Sequence, residues 1–306
     1  MAKSNSVAKL GVGAASVVGL LLLAGCGGKS PLAEICHDNP QVCRDLDLDA
    51  TCRERRTPLL ELRLAIKRQQ VSADDETQFK LLQALESYNT CLKRAAGIQH
   101  VNNPSLTSNA QRAYALTSES LQALQQQTQG RDNAHLAYYH WTKLSDRSAL
   151  EVLNTLQQQH KIQDAYILAG LGTERLRSEP EQARELFLQA LQNATPEQFV
   201  ADWLLALASV TPDVELKYLL QKTNVVLTDR GVNQRMLTDS LGARRAAQAG
   251  LDTEAQQLAQ ALQRGEYQQS HWPDRLAYTE PVAQAPVAAS TDNASVSGAV
   301  TSPTTR

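Results

Sequence analysis

Three aspartates at alternate positions give this sequence its nearest approach to a metal-binding motif. Asp45, Asp47 and Asp49 match the Asp-x-Asp-x-Asp start of a calcium loop. Such a loop needs Gly at its sixth position and Glu at its twelfth. The corresponding residues here are Ala50 and Arg56, so the sequence predicts that this segment binds no calcium.

Other residues that could support catalysis or metal binding are scattered. The six histidines form no His-Glu-x-x-His motif, and His135 and His140 are five residues apart, which places them poorly on one helix face. No Gly-x-Ser-x-Gly occurs, and Gly170-x-Gly172 lacks the third Gly of a nucleotide-binding loop. We therefore expect no metal, no cofactor and no catalytic residue, and hence a protein that is not an enzyme.

A cluster of aromatic residues is the feature that favours binding. Tyr138, Tyr139 and Trp141 surround His140 in a chain with only 14 aromatic residues. Two interpretations remain open. Alternate members of the cluster pack against the preceding hairpin, or the cluster is an exposed anchor for a partner protein, because Tyr and Trp are enriched at binding hot spots.

The first 25 residues predict an export signal. Lys3 and Lys9 precede a run of 16 uncharged residues, from Leu10 to Gly25. A membrane helix needs about 18 or more apolar residues. The run is shorter than that and fits the apolar region of a signal peptide.

The run ends in Leu23-Ala24-Gly25-Cys26, which resembles the lipobox of bacterial lipoproteins. The resemblance implies cleavage after residue 25 and acylation of Cys26, with residues 26–31 as a short tether. Two or three acyl chains would anchor the protein stably. Gly27, in place of the Asp that retains such proteins in the inner membrane, implies the periplasmic face of the outer membrane. The alternative is an ordinary signal peptide with an incidental Cys.

The remaining four cysteines predict two disulfides, because their number is even and an exported protein meets an oxidising compartment. Two helical runs, 51–70 and 74–96, form a hairpin whose turn is centred near residue 72. Cys52 and Cys91 lie 20 and 19 residues from that centre, so both reach its open end. This favours the pair Cys52–Cys91 and leaves Cys36–Cys43, between which Asn39-Pro40 breaks the helix.

Residues 100–278 predict an array of helices. Pro180, Pro196 and Pro212 are 16 residues apart and stand where helices would begin. Two such steps approach the period of tetratricopeptide repeats, which is about 34 residues. Two segments, 165–191 and 237–262, resemble tetratricopeptide or Sel1-like repeats. In each of them a Gly precedes an Ala by 13 residues, as Gly170–Ala183 and Gly242–Ala255.

The predicted fold class is therefore all-α, with a disulfide-stapled αα-hairpin over residues 32–99 followed by a tetratricopeptide-like array over 100–278. Residues 279–306 contain three prolines and no aromatic residue, and we expect this tail to be disordered. The arrangement as a whole resembles a group of uncharacterised proteobacterial lipoproteins.

Composition and anchor together suggest the function. The formal net charge is −2, so no basic excess points to nucleic acid as a partner. We expect a membrane-anchored, non-enzymatic scaffold that binds a protein or peptide of the cell envelope, since helical arrays form extended concave surfaces. The alternative is a cell-envelope enzyme, acting on peptidoglycan, whose catalytic residues are dispersed.

Overall fold

The computed structural model describes residues 31–49, 51–229 and 233–278. Within these ranges all regular secondary structure is helical, which confirms the all-α prediction. The chain divides after Thr128 into two compact units. The predicted signal peptide, Cys26 and the tail 279–306 lie outside the described residues.

The first unit is built around a helical hairpin. Its described helices are α1 (Pro31–Asp38), α2 (Pro40–Cys43), α3 (Arg53–Lys67), α4 (Asp75–Ala96) and α5 (Pro104–Thr128). The carboxylate of Asp74 caps α4 by accepting a hydrogen bond from the backbone N–H of Thr77 at 2.9 Å. A disulfide joins Cys52, just before α3, to Cys91 in α4, with their Cα atoms 5.8 Å apart.

A third long helix completes this unit. Asn89 of α4 donates hydrogen bonds to the hydroxyl groups of Thr117 and Ser118 of α5, at 3.0 and 2.9 Å. Small buried residues on α5, Ala110 and Ala113, allow close approach. The boundary between compact units therefore follows α5, whereas the sequence predicted a boundary after residue 99, because the polar turn before α5 looks like a linker.

The second unit consists of shorter helices. In its described part these are α6 (Ala134–Leu144), α7 (Arg147–Gln158), α8 (Ala165–Arg175), α9 (Pro180–Asn193), α10 (Asp202–Val210), α11 (Val214–Thr228), α12 (Gln234–Asp239), α13 (Gln248–Arg264) and α14 (Trp272–Ala277). Short 3₁₀ segments lie at Gly242–Ala247 and Tyr267–Gln269. Helices α6 and α7, α8 and α9, and α10 and α11 pack as consecutive pairs.

The caps explain where several of these helices start. Asn133, Asp146, Asp164 and Asp213 each accept a hydrogen bond from a backbone N–H in the following first turn, at 2.7–3.0 Å. Pro180 begins α9, as predicted. The predicted start at Pro196 is wrong, because residues 196–198 form a turn and α10 begins only at Asp202.

The prediction that segment 237–262 repeats the helix pair of segment 165–191 is also wrong. Gly242 does not lie within a first α-helix; it has φ +52° and begins a 3₁₀ segment. A left-handed backbone conformation of this kind is compatible with glycine and ends helical continuity. The helix that carries Ala255, α13, packs instead against α11, where the hydroxyl group of Tyr218 donates to the carboxylate of Asp252 at 2.8 Å.

One apolar core runs through the second unit. It contains fully buried side chains from successive helices, including Leu153, Leu168, Phe187, Leu204, Leu219 and Leu258. Burying a side chain of this size stabilises the fold by about 1.5–3 kcal/mol. Among the described residues, no helix combines the length and the apolar character needed to cross a membrane.

Candidate partner-binding surface

The structure separates the members of the predicted aromatic cluster. Tyr138 and Trp141 lie on one face of α6, half-buried, and their ring centroids are 5.7 Å apart in an edge-to-face arrangement. Tyr139 is only 4% exposed and is buried together with His140. Burial lowers the pKa of His140. Tyr139 is therefore not part of an accessible surface, because a helix turns neighbouring side chains in different directions.

Tyr138 and Trp141 belong to a longer row of rings. Tyr138 contacts Tyr166 of α8 edge to face, with centroids 6.4 Å apart. Tyr166 contacts Trp203 of α10 at 6.1 Å, and Trp203 contacts Phe199 at 6.1 Å. We call Trp141, Tyr138, Tyr166, Trp203 and Phe199 the aromatic row. Edge-to-face pairs at these separations are the favoured geometry of aromatic contacts.

Exposure varies along the aromatic row. Tyr166, at its centre, is 54% exposed, whereas Trp203 is buried and the other three rings are half-buried. The buried Trp203 and the core beneath it hold the row in place, and Tyr166 presents its ring to solvent. At one end, Trp141 lines a cavity of about 480 Å³, and at the other, Phe199 lines one of about 420 Å³.

Helix caps position the central rings. Asp164 caps α8 by accepting hydrogen bonds from the backbone N–H groups of Tyr166 and Ile167, both at 2.9 Å. The same carboxylate lies 3.5 Å from Nε2 of His135 on α6. The hydrogen bond from His135 lowers the pKa of Asp164, and burial raises the pKa of the neighbouring Tyr138. Asp164 therefore links the start of α8 to the helix that carries Tyr138.

Gly170 provides the space for the Tyr138 ring. A Cβ atom at position 170 would lie 2.6 Å from Cε2 and 2.8 Å from the hydroxyl oxygen of Tyr138. The residue that approaches Ala183 closely is Gly172, whose Cβ would lie 3.3 Å from the Ala183 carbonyl oxygen. Gly170 therefore makes room for Tyr138, and Gly172 makes room for helix α9.

The aromatic row can bind but shows no means of catalysis in its own residues. Phenol and indole groups offer apolar faces with single hydrogen-bonding atoms, a combination typical of protein-binding hot spots. In the described part of the chain, no group of three or more His, Cys, Asp or Glu side chains is placed to hold a metal ion.

The predicted disulfide residues lie in the first unit. Cys36 is bonded to Cys43 and Cys52 to Cys91, with Cα–Cα distances of 5.4 and 5.8 Å. The three alternating aspartates lie between these bridges. Asp45 forms a two-pronged ion pair with Arg63, at 2.6 and 2.8 Å. Burial opposes ionisation of Asp45, but the hydrogen bonds and charge of Arg63 outweigh it and lower the pKa.

A family model described as a protein of unknown function, DUF2989, matches residues 23–222. The chain belongs to this family. The DUF2989 match includes all described residues of the first unit and all five residues of the aromatic row, and it ends within α11. Neither a curated protein nor a solved structure matches the chain.

Sequence reasoning missed three members of the aromatic row. Tyr166 lies in segment 165–191, whose resemblance to tetratricopeptide repeats implies an aromatic residue in the first helix, and this was a usable signal for an aromatic contact. Phe199 and Trp203 follow the turn after Pro196, and nothing in the local sequence connects them to α6. The ring contacts of the folded chain, Tyr138 with Tyr166 and Tyr166 with Trp203, bring them together.

Proposed function

We propose that this DUF2989 protein is a lipid-anchored scaffold on the periplasmic face of the outer membrane, without enzymatic activity, that binds a protein or peptide partner at the aromatic row. The observation that supports this most is the continuous contact of five rings across three helices and a turn, with Tyr166 exposed at its centre. Solenoid-like arrays of helix pairs present extended surfaces of this kind.

The geometry favours an extended segment as the bound element. Rings set edge to face leave shallow steps between them, and apolar side chains or prolines of an extended peptide pack into such steps. The fixed rings lose little conformational entropy on binding, because burial and caps already hold them. The tetratricopeptide-like character of the helix pairs belongs to this proposal, and the lipobox supports the anchor.

Site-specific photocrosslinking in cells tests the binding surface. A photoreactive phenylalanine analogue replaces Tyr166 in one strain and Tyr278 in another. Tyr278 is a matched control, because it is the same residue type, lies in the same unit and is 55% exposed compared with 54% for Tyr166. We expect discrete crosslinked products from position 166 and none of the same mass from position 278.

A binding measurement then follows with the crosslinked partner. Replacing a hot-spot Tyr by Ala costs about 2 kcal/mol or more, which weakens binding by about 30-fold. Tyr166→Ala should show this loss and Tyr278→Ala should not. Equal crosslinking at the two positions, or unchanged affinity of Tyr166→Ala, would contradict the assignment of the surface.

Acylation is tested separately. In cells given a labelled fatty acid, the unchanged protein should carry the label and fractionate with the outer membrane, whereas Cys26→Ser should do neither. Label that persists in the Cys26→Ser protein would refute the anchor at that residue and leave the binding surface unaffected.

A further inference from the structure

One carboxylate of the first unit is buried without a complete set of hydrogen bonds. Asp47 is 5% exposed. Its Oδ1 atom accepts a hydrogen bond from the backbone N–H of Asp49 at 3.1 Å, whereas its buried Oδ2 atom has no hydrogen-bond partner among the described residues. Buried charged groups are normally paired or hydrogen-bonded. This oxygen therefore adds negative charge to the wall of the cavity that Asp47 and Asp49 line, and no hydrogen-bond donor of the described residues offsets that charge.

The nearest cation does not neutralise this carboxylate through a hydrogen bond. Nη1 of Arg56 donates to the backbone carbonyl oxygens of Asp47 and Asp49. The hydroxyl group of Tyr88 accepts a hydrogen bond from the backbone N–H of Asp47 at 2.7 Å. These contacts fix the backbone of the segment, and none of them is made to the carboxylate of Asp47 or Asp49. Burial raises the pKa of Asp47, and the neighbouring Asp49 carboxylate adds to the rise.

Asp47 and Asp49 line a cavity of about 380 Å³, which lies within the range of about 300–1,000 Å³ typical of small-molecule sites. Asn109 of α5 donates to Oδ2 of Asp49 at 3.2 Å. The wall also includes Arg44 and Arg112, both exposed. Neither arginine forms an ion pair with any residue in the described part of the chain.

The cavity thus presents both signs of charge, and this restricts the ligand. A bare metal ion is disfavoured, because Arg56 occupies the two carbonyl oxygens that a hard cation would use and two further guanidinium groups would repel it. A simple anion is disfavoured by the two carboxylates. A molecule with an ammonium and a carboxylate group satisfies both sets of side chains, and Leu46 and Leu116 offer it apolar contact.

We propose that the cavity beside Asp47 binds a small zwitterion, namely an apolar amino acid or dipeptide with free ends. Its ammonium group lies against the half-exposed Asp49 carboxylate, with the buried carboxylate of Asp47 behind it. Its carboxylate is held by Arg44 and Arg112, whose planar guanidinium groups suit two-pronged binding of a carboxylate. The proposal does not depend on the aromatic row or on a protein partner.

Calorimetric titration of the purified protein tests the ligand class. The probes are L-leucine and L-alanyl-L-leucine, with three controls: N-acetyl-L-leucine lacks the ammonium group, L-leucinamide lacks the carboxylate, and calcium chloride supplies a bare cation. We expect saturable binding of at least one zwitterion and at least tenfold weaker binding of each control. The proposal would be overturned by binding of calcium alone, by equal binding of L-leucine, N-acetyl-L-leucine and L-leucinamide, or by no binding at all.

Variants locate the site. Asp47→Asn and Arg112→Gln should each weaken binding of the zwitterion at least tenfold, whereas Arg94→Gln, on the exposed face of α4, should leave it unchanged. Arg112 is exposed, so its variant remains informative even if Asp47→Asn fails to fold. Unchanged affinity in Arg112→Gln, or an equal loss in Arg94→Gln, would show that the ligand binds elsewhere.

Discussion

Replacing Gly170 by Ala tests the packing that holds the aromatic row. Within a helix, Gly→Ala gains up to about 1 kcal/mol, because Ala loses less backbone entropy on folding. At position 170 the added methyl group would lie 2.6 Å from Tyr138 Cε2. Forcing an extra methyl group into such a contact costs about 1–3 kcal/mol. We therefore expect Gly170→Ala to change stability by about 0 to −2 kcal/mol.

Gly250→Ala is the matched control. Gly250 lies in α13 and a Cβ atom there would meet no atom within 4 Å, so this variant should gain up to about 1 kcal/mol. The two variants should then differ by about 1–3 kcal/mol. For a unit of roughly 150 residues, each kcal/mol shifts Tm by about 2–4 °C, so the melting temperatures should differ by several degrees in a thermal unfolding scan.

A double variant identifies the contact responsible. In a Tyr138→Ala background the ring is absent, and Gly170→Ala should become as favourable as Gly250→Ala. If Gly170→Ala raises Tm in the unchanged background by as much as Gly250→Ala does, the Tyr138 ring does not lie against Gly170.

Two further predictions concern the first unit. Peptide mapping without reduction should find Cys52 joined to Cys91. Loop-closure entropy predicts that losing this bridge, which closes a 39-residue loop, costs about 4 kcal/mol of stability, and that losing Cys36–Cys43, which closes a 7-residue loop, costs about 2 kcal/mol. Urea unfolding of variants in which each Cys pair is replaced by Ser measures these costs. The pKa of Asp45 is lowered in the folded state from its ordinary value of 3.8. The ionised carboxylate therefore stabilises the fold fully at pH values above 3.8, and this stabilisation is lost as the pH falls through the folded-state pKa. Asp45→Asn should cost about 3–5 kcal/mol at pH 7 and should flatten the loss of stability on acidification; an unchanged acid profile would contradict the role of the ion pair.

The hairpin of the first unit was predictable because its determinants are local. The polar turn before α4, with Asp74 at the helix start, marks the centre of the hairpin. Cys52 and Cys91 lie at nearly equal distances from that centre along the chain, and this indicates which cysteines form the disulfide. The end of the unit was not predictable in the same way. Whether α5 belongs to it depends on Asn89 and two small residues that let the helices approach, and no spacing along the chain records that contact.

The second unit shows where periodicity misleads. Pro180 and Pro196 are each followed directly by a glutamate, but only Pro180 begins an α-helix. After Pro196 the backbone N–H groups of Gln198 and Phe199 both donate to the Thr195 carbonyl oxygen, closing a turn. That turn delays α10 and places Phe199 beside Trp203, so the irregularity in the repeat contributes a ring to the aromatic row.

The segment with Asp45, Asp47 and Asp49 does not match a calcium loop, but it lines the cavity proposed as a binding site. The absence of Gly and Glu at the required positions argues against a calcium loop, and the structure gives a reason for one of the replacements: Arg56, at the position of the missing Glu, binds the carbonyl oxygens of Asp47 and Asp49. The hairpin helices supply Arg56, Arg63 and Tyr88, which hold this segment through separate hydrogen bonds. Because the Cys52–Cys91 bridge ties those helices together at the same end, the geometry of the Asp47 cavity rests on the same disulfide that closes the hairpin.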